Sequence, residues 1–184
     1  RVAFEKNIGL LIEVVAHVKR RLPAVLLIIA GEGPAMCSLK RMCESKGLHN
    51  NVLFVGYLQR GQPLWDCFSA GDLFVFASKT ETQGLVLLEA MALGVPDVAY
   101  ADLGAGDVLT DDAGAITVKG CPEIFANAVI CLLQDRDARL ALAEKGRLYA
   151  RRWQTLQTTE RLVDFDQWII DRAAESKQLP ARNR

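Results

Sequence analysis

Ile8, Leu11, Ile12, Val15 and Val18 recur at the spacing of one helix face, and Lys19, Arg20, Arg21 and then Pro23 follow them. This predicts an amphipathic helix from near Lys6, with cations at the carboxyl end of its dipole and proline as a stop. The next run, AVLLIIA at 24–30, has no polar alternation and predicts a strand buried on both faces of a parallel sheet. After the loop GEGP, residues 35–46 read as a second helix with Met36, Leu39 and Met42 inside. The unit then repeats: a strand NVLFV at 51–55, a loop through GYLQRGQ, and a short helix from Pro63 to Ser69. A strand DLFVFA at 72–77, the loop SKTETQG, and a helix from Leu85 to Leu93 ended by Gly94 come next.

The remainder keeps the rhythm. A strand DVAYA follows Pro96, then the loop DLGAG, a strand AITV at 115–118, and helices over 122–133, 136–150 and 156–174. Strands and helices that alternate through short loops imply an α/β fold, a Rossmann-like doubly wound parallel sheet with helices on both faces. Such sheets bind ligands at the carboxyl ends of their strands, so GEGP, GYLQ, SKTETQG and DLGAG are the loops where a site is expected. Residues 1–174 are read as one domain and the polar, aperiodic 175–184 as a tail. Leu140, Leu142, Leu148, Trp153, Leu162, Phe165 and Trp168 are expected to pack in the core.

Charge and composition narrow the chemistry. Lys plus Arg and Asp plus Glu each number 22, so no net basic field exists to hold nucleic acid. The five cysteines are scattered without a CxxC pair, which suits a reducing cytoplasm better than a disulfide framework or zinc site. His17 and His49 are far apart in sequence and from the cysteines, which gives little support for a metal centre or Cys-His pair. No apolar run approaches the roughly 18 residues of a membrane helix, and the opening RVAFEKNIG suggests a domain from a longer protein.

One residue stands out against this background. Glu89 is the single charge between Leu85 and Val95, in a segment that reads as buried, and it follows Glu81 as E-x7-E with Gly84 between them. An unpartnered carboxylate in a tight apolar setting is costly, so Glu89 needs a partner. Gly84 permits a turn that leaves the first amides of the following helix open to an anion such as a diphosphate. The two carboxylates suit vicinal hydroxyls on either side of it. Phosphate between two sets of hydroxyls describes a nucleotide sugar. Glu81 as an ordinary loop acid and Glu89 as a solvent-facing or backbone-bonded residue remain open on spacing alone.

The stretch SKTETQGLVLLEAMALGVP, with RVAFEKN, GEGP and VGYL in this order, resembles the carboxyl-terminal, donor-binding domain of retaining GT-B glycosyltransferases of glycosyltransferase family 4. The resemblance spans residues 1 to 170 or so. It implies that Arg1 and Lys6 bind the donor diphosphate, that Glu81 contacts the transferred sugar, and that Glu89 binds the nucleotide ribose. Gly84 and Leu85 match the phosphate-binding turn. Gly56, Tyr57 and Leu58 match the loop beside the base, with Tyr57 open to a plain packing role as well. Gln83 is grouped with the donor-binding residues, but Thr82 and Gln83 stand where Gly-Phe or a similar pair is frequent, so sugar preference does not carry over. Asp97 stands where an apolar strand residue is usual, and a carboxylate there is destabilising unless paired.

The resemblance further implies transfer without a metal or other cofactor. It also implies a strand leading into Arg1 and an amino-terminal acceptor-binding domain, through which the enzyme would associate with the inner membrane surface. Three alternatives compete with it. A dinucleotide oxidoreductase needs GxGxxG, which fails at Met36, and an acid where Asn50 and Asn51 stand. A non-catalytic nucleotide-binding module and a phosphorylase or nucleotide-sugar epimerase share the fold expected here.

Overall fold

In the computed structural model, which describes residues 1–78, 80, 84–100, 109 and 114–153, Asn7 adopts the left-handed conformation at φ 53°. It turns a 3-10 segment, Phe4–Lys6, into α1, Ile8–Val18. Asparagine tolerates this conformation better than most residues. The strands are β1 (Leu27–Ala30), β2 (Val52–Gly56), β3 (Phe74–Phe76), β4 (Asp97–Tyr100) and β5 (Ala115–Val118). The helices after α1 are α2 (Met36–Ser45), α3 (Gln62–Ser69), α4 (Leu85–Ala92), α5 (Pro122–Gln134) and α6 (Arg136–Arg151). Arg1–Ala150 form one unit, and only 151–153 of the second, Arg151–Arg184, are described. The expected helix over 156–174 and the tail 175–184 lie outside the described residues.

All strand pairs are parallel. The ladders run β1–β2 and β3–β4–β5, with Val75, Val98 and Ile116 in one register row and Phe74, Asp97 and Ala115 in another. Helix α1 joins the two pieces. Leu11, Val14 and Val18 pack with Ala77, Val98 and Phe125, while Ile12 and Val15 pack with Ile29 and Val52. On the other face of β3–β4–β5, Phe76 and Ala99 meet Leu87, Leu88 and Met91 of α4 and Tyr149 and Ala150 of α6. Helices thus cover both faces of that ladder, as expected for a doubly wound α/β fold.

Two expectations need correction, and the oddity of Asp97 is borne out. Strand β1 is not buried on both faces: Ile29 is buried against α1 and α2, while Leu26 and Ile28, with Leu53 and Val55 of β2, are exposed. Among the described residues, α1 and α2 pack against the Ile29 side of this ladder, so a uniformly apolar run still leaves exposed positions. In α6, Leu142 packs into the core, whereas Leu140 and Leu148 are exposed. Asp97 is fully buried, and neither carboxylate oxygen has a hydrogen-bond partner among the described residues. Burial pushes its carboxyl well above the usual carboxylate range. The strand position demands an apolar side chain, and Asp97 occupies it without the pairing that would offset its desolvation.

Asn51, at the place where a dinucleotide fingerprint wants an acid, has another task. It is buried, and its Nδ2 donates to the Pro23 carbonyl at 3.0 Å and the Val25 carbonyl at 2.8 Å. The side chain ties the approach to β1 to the start of β2, which is a structural task rather than recognition of a ribose.

Candidate functional site

Arg1 and the turn from Gly56 lie at the loops that follow β1 and β2. Val2 N–H donates to the Glu32 carbonyl at 2.9 Å, and Ala35 N–H donates to the Val2 carbonyl at 3.2 Å, fastening Arg1 to the loop after β1. Gly33 passes so close that a Cβ there would overlap the Val2 carbonyl. This loop meets the next one. Gly31 N–H donates to the Gly56 carbonyl at 2.6 Å, and a side chain on Gly56 would come within 3.7 Å of Glu32 Oε1. Arg1 is exposed, and Lys6 lies half-buried at the end of the 3-10 segment, directly before α1.

Gly56, Tyr57 and Leu58 carry the chain out of β2. Tyr57 is 71% exposed, so it is not the packing aromatic that the sequence left open. An exposed tyrosine ring on a strand-end turn offers a flat surface for stacking.

Helix α4 starts at Gly84, which is left-handed at φ 59° and caps it without a side-chain hydrogen bond. Leu87 and Leu88 N–H both donate to the Gly84 carbonyl, at 2.9 Å and 3.2 Å. The amides of Gly84, Leu85 and Val86 precede these first intrahelical bonds, and no acidic side chain stands in the first turn. The helix start therefore keeps the positive end of its dipole uncompensated by α4 itself. Glu81 and Gln83 lie outside the described residues, so their relation to this turn is not part of the geometry.

Glu89 departs from the setting expected of it. Leu87, Leu88, Ala90 and Met91 are buried, but the Glu89 side chain is 39% exposed. It points out of the apolar helix rather than into a tight core. Its partner is Arg60, whose Nη2 lies 3.5 Å from Glu89 Oε1. Beside this pair runs a cleft of about 290 Å³ lined by Trp65, Glu89, Ala92 and Leu93. Arg60 and Trp65 had no signal in the sequence: they lie in a polar loop and a short helix that reach α4 only through chain crossover. The structure thus links Arg1, the loop after β1, the turn after β2 and Glu89 of α4 by successive contacts. Singly, the Glu89 carboxylate can accept hydroxyls, the start of α4 can receive an anion and the exposed Tyr57 ring can stack on a flat ring system.

Comparison with known proteins gives the family of the chain. Residues 1–149 match the family described as glycosyl transferases group 1. The chain is 34% identical over 148 residues to an alpha-D-kanosaminyltransferase of Streptomyces kanamyceticus, a match covering 79% of this chain and 38% of that protein. It is 30% identical over 176 residues to a GDP-mannose-dependent alpha-(1-6)-phosphatidylinositol monomannoside mannosyltransferase of Mycobacterium tuberculosis, covering 90% of this chain and 45% of the relative. The crystal structure of a mutant of S. aureus TarM in complex with fondaparinux, alpha-GlcNAc-glycerol and UDP superposes with a TM-score of 0.80 at 28% identity. That match covers 89% of this chain and 33% of TarM. The chain spans less than half the length of these relatives. With a family match running from Arg1 almost to the end of α6, this chain belongs to the glycosyl transferases group 1 family.

Proposed function

We propose that this chain is the carboxyl-terminal, donor-binding half of a retaining GT-B glycosyltransferase of glycosyltransferase family 4. It takes a UDP- or GDP-sugar and serves transfer of the sugar to a glycan, lipid or small-molecule acceptor. The observation that carries this reading is Glu89, a half-exposed carboxylate on an otherwise apolar helix, two turns at most from the open amides at Gly84. Relatives named for sugar transfer and a UDP-bound structure of similar fold support the choice of ligand class.

In this reading Glu89 accepts hydrogen bonds from the ribose hydroxyls, and Tyr57 with the Gly56–Leu58 backbone lies against the base. The α4 start at Gly84 and Leu85, with Arg1 and Lys6, stabilises the charge that builds on the diphosphate as it leaves, so no metal is called for. Glu81 contacts the transferred sugar, and Gln83 is one of the donor-binding residues. The leaving phosphate takes the acceptor proton on the same face of the sugar ring, giving retention. The acceptor site belongs to an amino-terminal domain, which brings the enzyme to the inner membrane surface from the cytoplasm. This chain alone therefore binds donor but transfers little.

Isothermal titration with UDP, GDP, UDP-glucose and GDP-mannose tests the reading. Binding of one nucleotide class at micromolar to millimolar Kd, lost in Glu89→Ala, is the expected result. A folded chain that binds none of the four, or whose affinity ignores Glu89→Ala, overturns it.

A further inference from the structure

Glu89 has no polar neighbour on its own helix. The positions one turn away are Leu85, Val86, Ala92 and Leu93, none of which can restrain a carboxylate. Trp65, Ala92 and Leu93 line the cleft beside it with apolar surface. It pairs with Arg60, which stands on the turn between β2 and α3 with its side chain 83% exposed. The contact is made to a single oxygen, Oε1, at 3.5 Å. Oε2 and the remaining lone pairs stay available to a ligand.

We infer that Arg60 is a positioning residue for the nucleoside: it turns the Glu89 carboxylate toward the turn that also carries Tyr57, so that base and ribose are read from one place. The inference rests on the assignment of Glu89 to the ribose. An exposed pair of this kind contributes little while the cleft is open to water, because solvent screens it and two long side chains must be ordered. A ligand lying on Glu89 covers the pair and lowers the local dielectric, which strengthens it. The orienting effect therefore registers in ligand affinity more than in the stability of the fold.

The test compares the full 184-residue chain with Arg60→Met, Arg60→Lys, Glu89→Gln and the Arg60→Met/Glu89→Gln double variant. Each is titrated with UDP, GDP, uridine and guanosine at low and high salt, and its urea midpoint is measured. Arg60→Met is expected to weaken nucleotide and nucleoside alike by up to about five-fold, the range of an exposed ion pair. Arg60→Lys should restore part of the loss, and Arg60→Met should add nothing in the Glu89→Gln background. The urea midpoint should stay unchanged. Uridine and guanosine are uncharged, so a salt-dependent fall in their affinity, seen with the wild type and absent from Arg60→Met, reports the ion pair itself.

A loss for UDP or GDP but not for the nucleosides, or one that persists beside Glu89→Gln, would make Arg60 a phosphate contact and overturn the inference. Unchanged affinity in Arg60→Met, with Glu89→Gln still weakened, overturns it while leaving the proposed function standing. A wild-type chain that binds neither nucleotide, or a Glu89→Gln chain that binds both normally, overturns the proposed function and this inference together.

Discussion

Replacing Asp97 by valine should stabilise this protein, and the gain should grow with pH. Both carboxylate oxygens are buried without a partner among the described residues, and β4 places them on the face of Ala99, against α4 and α6. Keeping even the neutral acid there without hydrogen bonds costs about 1–3 kcal/mol. The sign of the pH dependence follows from the raised pKa of the folded state. Below about pH 4, the ordinary value of a carboxyl, folded and unfolded chains both hold the proton and ionisation adds nothing. Above it the unfolded chain releases a proton that the folded chain keeps, so stability falls by about 1.4 kcal/mol per pH unit until the folded-state pKa is passed. The assay is urea unfolding of wild type, Asp97→Val and Asp97→Asn from pH 4 to pH 7.5. Within the window where the folded chain holds the proton, the gap between Asp97→Val and wild type should widen by about 1.4 kcal/mol per unit. Asparagine should remove the pH dependence while keeping an unsatisfied polar group, and so fall below valine. A gap that is constant with pH, or a valine variant less stable than wild type, would mean that the folded protein holds Asp97 charged and paired.

Two further outcomes probe the frame and the proposed base site. Asn51→Ala removes two buried hydrogen bonds and should cost about 1–3 kcal/mol, read as a lower urea midpoint; an unchanged midpoint would show that water replaces the tie to Pro23 and Val25. Tyr57→Ala, at an exposed position, should leave stability within about 0.5 kcal/mol yet lower nucleotide affinity by about 1–3 kcal/mol if the ring stacks on the base. Equal affinity in calorimetry would remove Tyr57 from the site.

Local patterning determined much of this molecule. The apolar repeat at 8, 11, 12, 15 and 18 predicted α1, the run AITV appears as β5 over Ala115–Val118, and the alternation of strand and helix predicted the α/β class. These are legible because helix and strand periods are written in neighbouring residues. Glu89 was visible as one charge breaking an apolar run, though its half-exposed setting was not, and Gly84 was legible as the start of α4. Glu81 and Gln83 rest on sequence alone, being outside the described residues.

Contacts between distant segments were decided only in three dimensions. Leu26, Ile28 and Ile29 read alike in sequence, yet helices α1 and α2 cover Ile29 and leave the others exposed, because burial depends on which side a crossover helix lies. The oddity of Asp97 was visible, but not that both its oxygens would be sealed off in β4. The Arg60–Glu89 pair had no trace in the pattern: a polar loop arginine is ordinary until the turn after β2 is packed beside α4. Sequence period fixes which way a side chain faces along its own element, while the partner across the gap is set by how the elements pack.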